Sequence, residues 1–215
     1  SFLRLTLIPS DNVNGYTSCV HTATAFPTDP TGGTPVALGD DASAAIALTG
    51  GHAVMLYGVP YTSLFIGSNG YITFGWGDVN PSVSLQAHFA TPRVSAFFCD
   101  LNPALGGTIS WQAFPNRVVI TFARVKPAAG AGAVNAQVEL FFSGMIRITW
   151  LSTTTLNGLV GLSRGVGVPA DFVESDISVY ATCTGGEGEG EGEGEGEGEG
   201  EGEGEGEGEG EGAGE

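Results

Sequence analysis

The chain has 215 residues and a formal net charge of −17 at pH 7, but most of that charge lies in one segment. Residues 187–215 alternate glutamate and glycine almost without exception and hold 14 of the 24 acidic residues and no basic one. The remainder carries 10 acidic residues against 7 basic ones, so it offers no basic surface on which nucleic acid would bind. No apolar run approaches the ~20 residues needed to cross a bilayer, which argues against membrane insertion.

The chain begins with an apolar segment, residues 1–15, which we predict to be an extension strand followed by a hinge. Leucines alternate with other side chains, as in a strand, and a stretch of turn-forming residues starts at Pro9. An exposed apolar strand is a liability unless it is paired. We predict that this strand is donated to the sheet of a neighbouring subunit, through an interface made of Phe2, Leu3, Leu5, Leu7 and Ile8. The alternative is that it folds back into its own sheet.

Residues 16–184 have the pattern of an all-β domain, an antiparallel β-sandwich of the jelly-roll or immunoglobulin-like kind. Short segments rich in β-branched and aromatic residues are separated by turn residues, without sustained helical periodicity. Three hairpins are predicted: 64–66 with 71–74, 108–114 with 117–125, and 138–142 with 145–151. The predicted buried residues include Phe65, Phe74, Phe97, Ile120, Phe141, Ile148 and Trp150.

Residues 185–215 form a low-complexity Gly-Glu tail in this interpretation. The tail has no large apolar side chain with which to build a core, and its carboxylates repel one another. It therefore cannot fold by itself.

The three cysteines indicate the compartment. Cys19 and Cys183 stand near the two ends of the predicted domain, and we predict that they are bridged; two free thiols are the alternative. A bridge closing so long a loop would contribute roughly 4–5 kcal/mol in the chain-entropy model. Cys99 lies in an apolar run and is predicted to be reduced and buried. Since the chain also starts at Ser1 rather than at a methionine, we expect an export signal to have been removed and the location to be extracellular or the cell surface.

Several short motifs follow one another along the middle of the chain. They include Ser-Asn-Gly-Tyr-Ile-Thr-Phe-Gly at 68–75, Pro-Arg at 92–93 and Asp-Leu-Asn-Pro at 100–103. In this order and spacing the chain resembles a β-sandwich domain common in large secreted and surface proteins of bacteria and, more distantly, the nidogen-like extracellular domain. The resemblance implies a non-catalytic extracellular module used in adhesion, surface layers or matrix.

The residues themselves also argue against catalysis. His21, His52 and His88 lie in different segments and none belongs to a nucleophile or metal motif, so we predict neither enzymatic activity nor a cofactor. Asp40, Asp41, Asp100 and Asn102 are weak candidates for a calcium site, because their side-chain oxygens are the hard ligands that calcium prefers. They could form such a site only if their two loops meet. The alternative is that these residues simply form turns.

Together these observations predict a structural subunit that assembles with copies of itself into an extracellular filament or surface layer. The alternative is a monomeric secreted adhesive or polysaccharide-binding module, tethered by the acidic tail. In that case Trp76 and Tyr71 would form an aromatic platform for sugar rings.

Overall fold

The computed structural model describes residues 2–10, 15–154 and 157–184, and most of its regular structure is β-strand. The strands are β1 Leu3–Pro9, β2 Tyr16–Thr22, β3 Thr34–Pro35, β4 Ser43–Ala47, β5 Val54–Leu56, β6 Val59–Tyr61, β7 Ser63–Gly67, β8 Tyr71–Thr73, β9 Pro92–Phe98, β10 Thr108–Ala113, β11 Arg117–Val125, β12 Val134–Phe141, β13 Ile146–Thr153 and β14 Leu159–Arg164. One short helix, α1, spans Leu85–Phe89, and single 3-10 turns lie at Pro30–Gly32, Pro103–Leu105 and Ile177–Val179.

Two antiparallel sheets pack face to face. The larger has the order β2-β1-β13-β12-β11-β10-β3 and the smaller β14-β9-β8-β7-β4, while β5 and β6 form a separate hairpin. Their inner faces supply one continuous apolar core. The indole Nε1 of Trp150, on the larger sheet, donates a hydrogen bond of 2.8 Å to the backbone oxygen of Ala96 on the smaller one. The predicted antiparallel β-sandwich is therefore confirmed.

The three predicted hairpins all form, as β7–β8, β10–β11 and β12–β13. In the first, Gly70 has φ +77°, a left-handed conformation that favours glycine. A Cβ built on Gly70 would lie only 2.2 Å from the carbonyl oxygen of Phe97, so no side chain fits there. The turn can therefore pack directly against β9.

Four of the seven predicted core residues are buried, and three aromatic residues are not. Phe74, Ile120 and Ile148 are each 0% exposed and Trp150 is 6% exposed. Phe65, Phe97 and Phe141 are only half-buried. In a strand, successive side chains point to opposite faces. Phe65 and Phe141 are each next to a core residue in their strands, and their rings lie on the outer faces of the sheets. Phe97 packs against the core from one side, because the N–H groups of Ala96 and Phe97 both bond the oxygen of Gly70 and this irregularity interrupts the alternation.

The N-terminal strand is not donated to a neighbour. β1 lies inside the larger sheet of its own subunit, where Leu5 pairs with Ile148 of β13 on one side and with Val20 of β2 on the other. Leu5 and Leu7 are buried in the core, whereas Phe2 and Ile8 are exposed. The predicted donation is thus wrong, and the alternative placement holds, because both edges of β1 are already occupied by strands of the same chain.

The compact unit runs from Ser1 to Cys183. Cys19 and Cys183 form the predicted disulfide, and Cys99 is free and buried, as predicted. Beside the bridge, Val20 donates its N–H to the oxygen of Ala181 and accepts one from Cys183, so residues 181–183 run alongside β2. Predictions for residues 11–14 of the hinge and for the tail from residue 185 onwards fall outside the described residues.

The placement of β1 makes a stability prediction. Leu5→Ala should lower the free energy of unfolding by about 2–5 kcal/mol, because it removes buried side-chain volume between the two sheets. Ile8→Ala, at a position that is 45% exposed in the same strand, should cost less than about 1 kcal/mol. Urea denaturation of both variants measures the difference. Equal, small losses would contradict the internal placement of β1.

Candidate functional site

The three aspartates considered for calcium do meet in the fold. Asp40 and Asp41 precede β4, and Asp100 follows β9. One carboxylate oxygen from each lies within 4.8 Å of the other two, and all three side chains are exposed. Asn102 is already engaged, since its side-chain oxygen accepts a hydrogen bond from the N–H of Ala104 at 3.0 Å and caps a 3-10 turn.

A buried asparagine brings the two acidic loops together. The side-chain amide of Asn69 donates to Asp41 at 2.9 Å, and its oxygen accepts the N–H of Leu101 at 2.8 Å. Asn69 is 0% exposed, at the β7–β8 turn. Partial burial, and then the nearby charges of Asp41 and Asp40, raise the pKa of Asp100. The cluster therefore carries unfavourable like-charge repulsion that a cation would relieve.

The proposed aromatic platform does not form. Tyr71 is 0% exposed: the guanidinium of Arg93 lies 4.2 Å from its ring centroid, and its hydroxyl donates to the backbone oxygen of Asn80 at 3.1 Å. Trp76 alone is available, with 55% of its surface exposed on a turn between two glycines. Tyr71 follows an Asn-Gly turn, but its position in the strand places its side chain under the segment between β8 and β9.

A serine–histidine pair that the sequence did not suggest joins that same segment to β9. His88, in α1, has its Nδ1 2.9 Å from the hydroxyl of Ser95 on β9. Both are essentially inaccessible, at 2% and 0% exposure. Burial lowers the pKa of His88 to about 4; a hydrogen bond to the backbone of Leu162 opposes this shift and the charge of Arg93 adds to it. The neutral imidazole thus serves to hold α1 on the outer face of the smaller sheet.

Arg93 anchors the other end of the segment. It is 0% exposed, forms an ion pair with Asp78, and donates to the hydroxyl of Thr91 at 3.0 Å. Its guanidinium lies over the rings of both Tyr71 and Phe98. A buried charge is tolerated only when it is paired and hydrogen-bonded, which here ties the loop to β9.

The outer face of the larger sheet carries a second such network. Glu139 is 2% exposed, with its carboxylate 3.0 Å from Nε of Arg117. Burial raises the pKa of Glu139, and Arg117, Arg147 and Arg4 oppose that shift. The side chain of Gln137 bonds both the N–H and the oxygen of Thr28, so the connection between β2 and β3 is fixed across this face.

The remaining histidines do not join a site among the described residues. His52 stacks on Phe142 with ring centroids 4.5 Å apart. His21 lies in β2, opposite Arg4. Burial also raises the pKa of the Cys99 thiol to about 12, so at neutral pH it is not a thiolate.

A comparison with protein families is decisive for the class of module. A family model described as NIDO related matches residues 15–184, which is most of the chain. The chain belongs to the NIDO-related family. Modules of this family are extracellular and non-enzymatic, and the Cys19–Cys183 disulfide fits that location.

Two other comparisons find no relative of this NIDO-related domain. Neither the curated proteins nor the solved structures contain a match. In the described part of the chain, no helix combines the length and the apolar character that crossing a membrane requires.

The buried His88 predicts a pH dependence of stability. Because its pKa in the folded state is below the ordinary value of 6.5, the unfolded chain binds the proton first as the pH falls. The contribution of His88 to the free energy of unfolding is fully present above about pH 6.5. It falls by at most about 3 kcal/mol as the pH is lowered towards 4.

His88→Gln should therefore lose less stability than the wild type between pH 7 and pH 4 in urea denaturation. The raised pKa of Glu139 acts in the opposite direction, but it is common to both proteins and cancels in the comparison. His21→Gln, at a half-buried position outside α1, is the matched control. Parallel pH profiles for all three proteins would refute the assignment.

Proposed function

We propose that this chain is a structural module of an extracellular assembly, acting through non-covalent contacts between its surface and other chains, including copies of itself. The observation that carries the proposal is how its buried ionisable groups are used. Arg93 pairs with Asp78 and so attaches one connecting segment to the smaller sheet. Glu139 pairs with Arg117 of the neighbouring strand and accepts a hydrogen bond from Thr28, in the segment that crosses the larger sheet. Side chains that could take part in a reaction instead hold the fold rigid.

The Ser95–His88 pair supports the same view. Its geometry fits a nucleophile and a base. However, both groups are buried between α1 and the smaller sheet, and the depressed pKa of His88 comes mainly from burial. A substrate would have to displace the helix to reach the serine hydroxyl. A rigid, sealed sandwich is better suited to bearing contacts than to catalysis.

Because β1 is occupied inside its own sheet, assembly has to use other surfaces. Sedimentation velocity of the full chain, from about 5 µM to about 1 mM, tests the proposal. These limits bracket the micromolar-to-millimolar dissociation constants of small interfaces. We expect the average mass to rise with concentration. Electron microscopy of the concentrated sample would distinguish closed oligomers from filaments or layers.

The second candidate is a monomeric module that binds polysaccharide through Trp76. Its support is the large exposed indole on a turn between two glycines. A chain that remains monomeric throughout the concentration series, and whose affinity for a polysaccharide is lost in Trp76→Ala, would contradict assembly and favour this role. Val79→Ala, a change at a nearby residue that is 49% exposed, is the control.

We also propose calcium as the cation that the three-aspartate cluster would take, since clustered carboxylate oxygens suit a hard cation. Protein stripped with a chelator should gain several degrees in Tm on addition of millimolar Ca²⁺. Asp41→Asn should abolish the gain, and Asp171→Asn, at an exposed aspartate outside the cluster, should keep it. An unchanged Tm of the wild type would leave these residues as turn formers.

A further inference from the structure

Three of the four outer edges of the two sheets are protected. Residues 181–183 pair with β2, and β3, which contains Pro35, pairs with β10. The edge strand β14 is irregular, with a register shift at Gly161, and faces a groove partly lined by residues 166–177. Coverage, proline and bulges are the usual means by which edge strands avoid pairing with other chains.

The fourth edge, β4, has none of these protections among the described residues. Its partner is β7, in the regular register Ser43↔Gly67 to Ala47↔Ser63. The hydrogen bonds that continue this ladder involve the oxygen of Ala42 and the N–H of Leu48. Since bonding direction alternates along an antiparallel strand, the even-numbered residues bond β7. The backbone groups of Ser43, Ala45 and Ala47 therefore point away from the sheet.

The composition of this edge also lacks deterrents. Residues 42–51 contain no charged residue and no proline. The side chains of Ala45 and Ala47 are exposed, and Ile46 is half-buried against the core. An uncharged edge of small side chains lets another backbone approach to strand-pairing distance.

We propose that β4 is a self-association site, where the β4 strands of two copies pair antiparallel about a two-fold axis at Ala45. This inference rests on the proposed function and names the surface that one copy uses to bind another. Ala45 would pair with Ala45 of the second copy, and Ser43 with Ala47, so the outward N–H and C=O groups bond in up to about six hydrogen bonds. The two five-stranded sheets would then form one continuous sheet.

Charge decides the orientation in which two copies can pair. Asp40 and Asp41 stand at the start of β4. A parallel arrangement in register would bring the two acidic clusters together, whereas the antiparallel one places Asp41 opposite Thr49. The two copies of Asp41 then lie roughly 26 Å apart along the strand, beyond the screening length of about 8 Å at physiological salt.

The expected strength follows from the size of the contact. Two paired strands of this length bury well below the roughly 1,200 Å² of a stable interface. The dimer should therefore form at high micromolar to millimolar concentration, and become persistent only where many copies are held close together.

Cysteine cross-linking of the full chain tests the register. In a bonded antiparallel pair the opposed Cα atoms lie about 5.5 Å apart, within the range that a disulfide spans. Ala45→Cys should thus form a disulfide-linked dimer under mild oxidation. Ser43→Cys and Ala47→Cys should not do so alone, because each would lie roughly 13 Å from its own copy, yet a mixture of the two should cross-link. Val166→Cys, 80% exposed elsewhere on the surface, measures random collision.

Sedimentation with a second substitution is the independent measurement. Ala45→Lys would place two like charges directly opposite one another and should weaken dimerisation about tenfold or more. Ala45→Thr keeps a neutral strand-forming side chain and should preserve it, and Val166→Lys controls for the added charge. Thermal unfolding of each variant confirms that the domain remains folded.

The outcomes separate this inference from the proposed function. A wild type that self-associates while Ala45→Cys cross-links no better than Val166→Cys overturns the β4 site and leaves the proposed function standing. If Ser43→Cys and Ala47→Cys, each oxidised by itself, cross-link as strongly as Ala45→Cys, the strands pair in parallel and the two-fold arrangement is overturned. A wild type that stays monomeric overturns both.

Discussion

The larger sheet is continuous only because β1 fills the space between β2 and β13. Without that strand β2 would lose its only partner in the sheet, and the segment that the disulfide attaches to β2 would lose its support. Leu5 and Leu7 also complete the core beneath the inner face. The pairing joins residues about 145 positions apart in the chain. Such long-range contacts are slow to form, so we expect this part of the sheet to close late in folding.

The outer faces of the two sheets are organised by a different principle. Each is crossed by a connecting segment held by buried polar or charged groups. Gln137 and Glu139 of the larger sheet bond Thr28, and Arg93 and His88 join the segment between β8 and β9 to the smaller sheet. Leaving any of these groups without its partner would cost more than the contact contributes, because a buried polar group must be satisfied. The connections are therefore fixed in place although they contain little regular structure.

Local sequence patterns were sufficient for the β-rich class and for the three predicted hairpins, whereas the disulfide was predicted from the positions of two cysteines near opposite ends of the domain. Asn-Gly, Pro-Asn and Ser-Gly turns between β-branched segments reflect backbone preferences that act over a few residues, and the three hairpins follow from them. The placement of β1 could not be predicted in the same way. Alternating leucines indicate a strand, but they do not indicate which sheet receives it. Likewise Phe65, Phe97 and Phe141 sit in strands as predicted, and only the packing of the connections decides how far their rings are covered.

The candidate site was predictable in part for similar reasons. Asp40, Asp41 and Asp100 meet because Asn69, at a turn distant from both loops in sequence, bonds Asp41 in one loop and the backbone of Leu101 in the other. The His88–Ser95 contact joins a helix to a strand seven residues further along, and neither residue stands in a recognisable motif. Tyr71 illustrates the opposite error, since an aromatic residue after a tight turn looks accessible until the segment covering it is placed. Long-range side-chain contacts carry this information, and no short window contains them.

The Cys19–Cys183 bridge has a mechanical consequence. When the polypeptide is pulled from both sides of the domain, tension entering beyond residue 183 crosses the covalent bridge to residue 19. The backbone between these two cysteines is thereby shielded from extension, and within the domain only residues 1–18 can be pulled straight. Force would strip β1 from between its neighbours and release up to about 60 Å of chain at full extension. The sandwich would stop extending there, so its first strand is the one element that yields under tension while most of the core stays closed.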